Sequence, residues 1–425
     1  MREEGAAVAL HKARVYAGIL WRNRGRSSLF APSGGALNRD HHYCNKIWQT
    51  LAQTEAFHVS AAPATHRRAR KIALIADLNL PQCRKYRVEQ AAEFWRAQGV
   101  EVTFSHYLDV PRSISALQDA THLMLYRLQS LPLTSMYMYE ARRLKLPVLY
   151  DLDDPLFSVS AYETYQNMSA LEPALKTHFL SEAPKYLDMM NGADIISVST
   201  PGMATHARQY TQRPVYLRRN FADTSTLSLG KANISATVRE KADATAPFRV
   251  AFASGSRGHE MDFAVIEAAI VGFLAAGTNR FLTILGHFDK DLLPVALRNQ
   301  VEMHPFADYA RYLELLAQVD CAVMPLADDQ FNRCKSAVRV IDAASVAVPS
   351  IVGTVGDMAA MVRHGETGLI AKSSQDWRAA LEKLAADRVA TRRMGDTARL
   401  DLETQWAGSP EPHIISPELL TWVLG

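Results

Sequence analysis

The sequence predicts two doubly wound α/β domains in tandem, facing a central cleft. Three observations carry that reading. The chain has 425 residues, 48% hydrophobic and 21% charged, an ordinary globular composition and too long for one small core. From Lys71 onward, short β-rich apolar runs alternate with helix-length amphipathic segments, the pattern of strands crossed over by helices in a parallel sheet. The alternation stops once, between Phe221 and Pro247, where the chain turns polar and rich in Ser, Thr, Ala and Lys, and then it resumes.

Taken in order, residues 1–66 come before the pattern. Through Arg70 the chain holds 11 basic against 4 acidic side chains, so this part is +7 and the remainder −4 in a total of +3. Such a head reads as a flexible extension, with a surface-seeking arm for anionic lipid headgroups as the functional alternative. Glu3 and Glu4, and the basic residues that interrupt the apolar stretch from Ala6, do not fit a signal peptide. The first domain, 67–225, reads as strand Lys71–Ala76, helix Tyr86–Gln98, strands Glu101–Phe104 and Leu123–Tyr126, helix Ser135–Leu144, strand Pro147–Tyr150, a long helix over Glu172–Met190 and strand Asp194–Val198. A linker is placed at 226–247. The second domain, 248–405, reads as strand Arg249–Ala253, helix Asp262–Ala275, strand Phe281–Leu285, helix Tyr309–Gln318, strand Cys321–Met324, helix Lys335–Ala344 and strand Pro349–Val352. Residues 406–425 form a tail with Trp406 and Trp422. Ligands of such sheets bind beyond the carboxyl ends of the strands, so the cleft between the domains is the expected site.

Composition and motifs exclude several classes. The near-balanced charge gives no reason to expect a nucleic acid partner. No apolar run approaches the roughly 20 residues of a membrane span. The 4 cysteines form no CxxC pair, the histidines no HExxH, and there is no GxSxG elbow, which argues against zinc chemistry and an ordinary α/β-hydrolase.

Three stretches carry chemistry. After the strand Arg249–Ala253 comes Ser254-Gly255-Ser256-Arg257-Gly258-His259, then a helix; a Gly-rich loop leading into a helix N-terminus offers free N–H groups to an anion, and Arg257 adds a bidentate phosphate donor. Phe331-Asn332-Arg333-Cys334-Lys335-Ser336 opens the helix that follows strand Cys321–Met324. There Lys335 and Ser336 could hold a second phosphate and Asp342 a pair of ribose hydroxyls; the alternative is a solvated helix start with Arg339 and Asp342 as surface charges. In the first domain, Asp151, Asp153 and Asp154 end a parallel strand, open to a metal, a phosphoacceptor role or acceptor hydroxyls, and the loop Asn79–Arg87 adds Arg84, Tyr86 and Arg87 toward the same cleft.

The blocks "ASGSRGHEMDF" from Ala253, "LLAQVDCAVMPLADDQFNRCKSAVRVIDAASVAVPSIV" from Leu315 and "RHGETGLI" from Arg363 resemble the C-terminal domain of group 1 (family 4) glycosyltransferases with the GT-B fold. "LPQCRKYRVEQ" from Leu80 and "VLYDLDDPLF" from Val148 are similar to the N-terminal domain, so the resemblance runs from about Lys71 to Glu403. It implies a nucleotide-sugar donor, UDP- or GDP-linked, as co-substrate, with no separate cofactor. Arg257 and Lys335 would neutralise the leaving diphosphate, Gly255, Ser256, His259, Asn332 and Ser336 would surround it, and Asp342 would hold the ribose. A saccharide or lipid-linked acceptor would lie on the side of Arg84, Tyr86, Arg87, Asp151, Asp153 and Asp154. The resemblance further implies transfer with retention and without a metal, so that the DLD triplet is not a metal-binding DxD, and it implies a cytoplasmic enzyme of polysaccharide or glycan synthesis, at most peripheral at the inner membrane face. It also leads us to expect the tail to cross back to the first domain. Two departures stand out. Where the family carries two glutamates eight positions apart, this chain has Cys334 and Asp342, and Val346 to Pro349 lacks the usual Gly. A non-catalytic binding subunit, or a nucleotide-sugar epimerase of the same fold, is the alternative.

Overall fold

The computed structural model describes residues 69–237, 246–255 and 259–425. The head, Ser256 and Arg257 lie outside the described residues.

Two six-stranded parallel sheets form the frame. In the first, β1 (Lys71–Ala76), β2 (Glu101–His106), β3 (His122–Tyr126), β4 (Val148–Leu152), β5 (Ile195–Val198) and β6 (Val215–Leu217) are ordered β2-β1-β3-β4-β5-β6. In the second, β7 (Phe248–Gly255), β8 (Arg280–Gly286), β9 (Val301–His304), β10 (Cys321–Met324), β11 (Ser350–Val352) and β12 (Gly368–Ile370) are ordered β12-β11-β10-β7-β8-β9. The strand order reverses between β1 and β3 in one sheet and between β7 and β10 in the other, the switch points at which a crevice opens. The central strands β3, β4, β5 and β10 are buried at every position. Helices therefore cover both faces, and the strands read as continuous apolar runs instead of alternating ones.

The helices of the first domain are α1 (Gln90–Ala97), α2 (Val110–Asp119), α3 (Pro132–Arg143), α4 (Val159–Thr164), α5 (Pro173–Gly192) and α6 (Pro201–Ala207). The helical path into α1 begins earlier than predicted, with a turn Pro81–Cys83 and a π-helical stretch Arg84–Glu89. Pro81 suits this start, because its missing N–H falls among donors that have no helical partner anyway. The wider π turn aims Lys85, Tyr86 and Arg87 at three different partners.

Where the sequence suggests a featureless linker, α7 (Thr224–Thr237) forms. Asp223 accepts from the Thr226 N–H at 2.7 Å, and Leu227 and Leu229 pack on the core of the second domain. That domain contributes α8 (Glu260–Ala264), α9 (Glu267–Ala275), α10 (Tyr309–Ala317), α11 (Gln330–Arg333), α12 (Val338–Ser345), α13 (Ser374–Ala386) and α14 (Arg388–Gln405). The last helix, α15 (Pro417–Leu424), returns to the first sheet: Ile414, Ile415, Leu419 and Val423 are buried with Ile72, Trp95 and Phe221. Trp422 packs on His122, ring centres 5.1 Å apart.

The loops at the carboxyl ends of both sheets meet. Thr200, at the end of β5, donates to the Cys334 carbonyl at 2.9 Å, and a Cβ on Gly202 would fall 2.3 Å from the Arg333 carbonyl oxygen. Only glycine lets α6 approach α11 that closely.

Candidate active site

The strand β7 ends at Gly255, and the next described residue, His259, stands at the start of α8. Its Nδ1 lies 2.9 Å from Asp262 Oδ2. Asp262 is fully buried and gathers three further donors: Ala327 N at 2.9 Å and Asn332 Nδ2 at 3.0 Å on Oδ1, and Asn167 Nδ2 at 2.9 Å on Oδ2. Asn167 comes from the first domain, so this carboxylate ties three loops and both domains together. Burial pushes the Asp262 carboxyl up, but the hydrogen bonds from His259 and Ala327 outweigh it and hold it below the ordinary range. An ionised carboxylate only accepts, so Nδ1 of His259 carries the proton and Nε2 is the acceptor of the neutral ring. Burial, reinforced by the charges of Arg339 and Lys335, outweighs Asp262 and sets the imidazole below its usual pKa.

Lys335 does not begin the following helix. It sits in the turn between α11 and α12, where Asp357 N bonds its carbonyl at 3.0 Å. Gly356, at φ +76°, passes so close beneath that a Cβ would be 3.1 Å from the Asn332 and Lys335 carbonyl oxygens. The Lys335 ammonium crosses the cleft to Asp154 Oδ1 at 2.9 Å and lies 4.8 Å from the centre of the Phe331 ring. Burial alone would lower its pKa, but Asp154 holds it above the ordinary value. In return, Lys335 and Arg127 overcome the burial of Asp154 and keep its carboxyl below the usual range. Asp153 goes the other way: burial and the neighbouring Asp154 raise it. Its Oδ1 has no hydrogen-bond partner, with Arg127 Nη1 3.5 Å away. Arg127 itself has φ +54°, a conformation that costs a non-glycine residue free energy and recurs where side chains are held for function.

The sequence places Asp151 and Arg87 in the acceptor half of the cleft, and the structure corrects both. Each is 0% exposed. Arg87 reaches Asp151 through Nε at 2.9 Å and through Nη2, Arg218 reaches it at 2.8 Å, and Ser197 donates to it as well. The strand-end acid closest to the sheet is thus consumed by two guanidinium groups under the cleft floor. Asn332 is likewise buried, and its amide is directed at Asp262 and the Ala327 carbonyl, so it braces the loop and does not face a donor. Arg84 is solvent-exposed and pairs with Glu89 at 2.7 Å. Ser336 is half-buried and accepts from Asn220 Nδ2 at 3.1 Å.

Asp342 is 5% exposed and its Oδ1 accepts from Tyr86 at 2.5 Å and Tyr309 at 2.8 Å. Tyr86 is therefore also a correction: it is buried against the second domain and does not line an open acceptor surface. Beside them, Lys85 bonds Asp223 at 2.6 Å and lies 4.4 Å from the centre of the Tyr309 ring. Burial raises the Asp342 carboxyl to about 6 against the downward pull of the two tyrosine hydroxyls. A carboxyl raised in the folded state binds its proton more tightly there than in the unfolded chain. Its contribution to stability is complete below about pH 4 and is lost as pH rises through about 6. The stability advantage of wild type over Asp342→Asn is therefore expected to shrink between pH 4 and pH 6.5. Urea titrations across that range check this, and parallel stability profiles for the two proteins would contradict it.

Sequence reasoning passes over Asp262, Asn167, Lys85, Tyr309 and Arg127. Asp262 had a signal, since it follows His259 by three residues in the same block, within reach across one helical turn. The others are joined only by the fold. Among the described residues no group of three or more His, Cys, Asp or Glu is arranged to hold a metal ion, and no helix is long and apolar enough to cross a membrane.

Residues 253–387 match the family model described as glycosyl transferases group 1. Comparison with curated protein sequences gives no match. Among solved structures, the chain is similar to HepE of Anabaena in complex with UDP and glucose (14% identity, TM-score 0.56, covering 83% of this chain and 99% of that one). It is also similar to a glycosyltransferase from Rickettsia africae (9% identity, TM-score 0.55, 84% and 98%) and to sucrose-phosphate synthase from Thermosynechococcus elongatus (15% identity, TM-score 0.51, 80% and 95%). At these identities the likeness is one of fold. The family match adds that residues 253–387, in the second half of this GT-B fold, are similar to group 1 glycosyltransferases.

Proposed function

We propose that the protein moves a sugar from a UDP- or GDP-sugar to a saccharide or lipid-linked acceptor, with retention and without a metal, in the cytoplasm and in polysaccharide or glycan synthesis. The observation that carries this reading is the meeting of Lys335 and the His259–Asp262 pair, from the second domain, with Asp153, Asp154 and Arg127, from the first, at the carboxyl ends of both sheets. Departure of a nucleoside diphosphate leaves negative charge on its terminal phosphate, and a positioned cation stabilises that charge most where water is scarce. Lys335 is such a cation, and Arg257, on the loop after β7, is assigned to the same task from the sequence. Asp342 would exchange its tyrosine partners for ribose hydroxyls. Asp153 and Asp154 are the carboxylates left to orient an acceptor hydroxyl, Asp151 being engaged below.

One observation favours the second reading, a binding subunit without transfer. Cys334 stands where the family has a glutamate, and it is fully buried, packed with the first domain's core, its Sγ 3.4 Å from the Gln330 carbonyl. Its side chain does not face a donor.

Thermal shifts with UDP, GDP, ADP and their common sugars, with and without EDTA, followed by a donor-consumption assay, separate these readings. One nucleotide at a hundredfold excess over Kd is expected to add about 2.7 kcal/mol of stability, insensitive to EDTA. Stabilisation without donor consumption or transfer to any acceptor would select the binding subunit. No shift with any nucleotide would reject both.

A further inference from the structure

Among the described residues, several arginines carry a buried nitrogen without a hydrogen-bond partner. For Arg143, Arg218 and Arg388 another nitrogen of the same guanidinium is paired with Glu140, Asp151 and Asp320. Arg339 and Arg392 differ: Nη1 of the first and Nε of the second are buried and unpartnered, and no carboxylate pairs with either among the described residues. Arg392 lies at the start of α14, whereas Arg339 lies on α12 beside Asp342. A buried guanidinium nitrogen without a partner has lost water and gained nothing in exchange, which is costly enough to need a reason.

Its position supplies one. Arg339 lies on α12, one turn before Asp342, so the two share a face of the helix, while Ile341 and Ala344 are buried in the core of the second domain. Its charge is felt at His259 and Asp262, at the start of α8, and at Tyr312 of α10, so the guanidinium is within electrostatic reach of both helices. The anions nearby are engaged. Asp262 has four donors, Asp342 has two tyrosines, and Asp154 is held by Lys335. The Lys335 ammonium is itself drawn to the first domain by Asp154. Among the described residues, Arg339 is the cation on this wall that has no partner of its own.

We propose that Arg339 binds the donor's diphosphate, as a second cation beside Lys335, with the phosphate oxygens supplying the anionic partner that the chain lacks. The inference rests on the nucleotide-sugar reading above. A planar guanidinium matches phosphate oxygens two at a time, which a lysine in its place would not do.

Calorimetric titration of the full chain with UDP and GDP, with uridine and guanosine, and with inorganic pyrophosphate tests it. Against whichever nucleoside diphosphate wild type prefers, Arg339→Ala is expected to bind about 10- to 100-fold more weakly, with nucleoside affinity within about twofold of wild type. Arg339→Lys should recover only part of the loss. Because alanine could disturb α12, Arg339→Gln, of similar length, is titrated in parallel, and all variants are matched by circular dichroism melting. Unchanged diphosphate affinity in Arg339→Ala and Arg339→Gln would overturn the proposal and leave the nucleotide-sugar reading standing. Equal weakening toward nucleoside and diphosphate would overturn it in favour of a structural role. Absence of diphosphate binding by wild type would remove the reading on which it rests.

Discussion

Asp151→Ala is expected to lower the free energy of unfolding by about 3 to 5 kcal/mol, the cost of breaking a buried ion pair from one side. The effect is large because two cations are stranded together. Arg87 is 0% exposed and Arg218 2%, and both direct nitrogens at this one carboxylate. Burial and the neighbouring Arg87 already lower Arg218 to about 10 despite Asp151, and without that carboxylate its ionised form would lose its main support. Arg87 would keep the Arg218 carbonyl at 2.7 Å and Asn220 Oδ1 at 3.1 Å, neutral acceptors that leave its charge uncompensated. Urea unfolding of the full chain measures the loss, with Asp151→Asn as the milder variant that keeps the shape and removes the charge. A carboxylate that oriented an acceptor hydroxyl would behave differently: its removal would cut transfer while stability stayed within about 1 kcal/mol of wild type. That outcome would return Asp151 to the cleft.

The same three acids show how far a sequence carries the argument. That Asp151, Asp153 and Asp154 end a parallel strand at the cleft could be read from the apolar run before them and the helix-forming segments around it. Which of them faces the cleft could not, because burial of the first depends on Arg87 and Arg218, 64 and 67 positions away. The strands that sequence analysis identifies, such as β1 with five consecutive buried apolar residues, are those whose composition alone excludes other structures. Strands β6 and β12 have only three residues each, too few for a period to register; β11, equally short, was legible because it continues the apolar run from Val346. Helix α7 escaped because its buried face is made of Leu227, Leu229 and small residues, although Asp223 at its start was a legible cap. In the site, Lys335 and Asp342 were recognisable from their neighbours in the chain. The contact that defines the state of Asp342, the hydroxyl of Tyr86, comes from 256 positions away and from the other domain. Spacing reports which chemistry a segment brings; whether a group is free to use it depends on partners that only the fold supplies.

Lys335→Ala is expected to reduce kcat/KM for sugar transfer by about 30- to 1000-fold, corresponding to about 2 to 4 kcal/mol of transition-state stabilisation. The ammonium is held above its ordinary pKa and so stays charged across the working range, and its single carboxylate partner among the described residues, Asp154 at 2.9 Å, belongs to the opposite domain. Donor binding therefore sets up a competition: the diphosphate, with more charge than one carboxylate, draws Lys335 away from Asp154, which keeps Arg127 as a weaker partner at 3.5 Å. Asp154→Asn separates the two sides of that competition. It removes the rival for Lys335, so donor affinity should rise, and it removes a carboxylate from the acceptor side, so transfer should fall while hydrolysis of the donor by water, where measurable, persists. Steady-state kinetics of both single variants and the double variant, with and without acceptor, read the balance. If Lys335 serves the leaving group, its loss depresses transfer and donor hydrolysis together, and adding Asp154→Asn does not restore either. If Lys335 only clamps the domains through Asp154, the double variant should be no worse than Asp154→Asn alone. Wild-type kcat/KM in Lys335→Ala would assign the diphosphate charge to the arginines of the second domain instead.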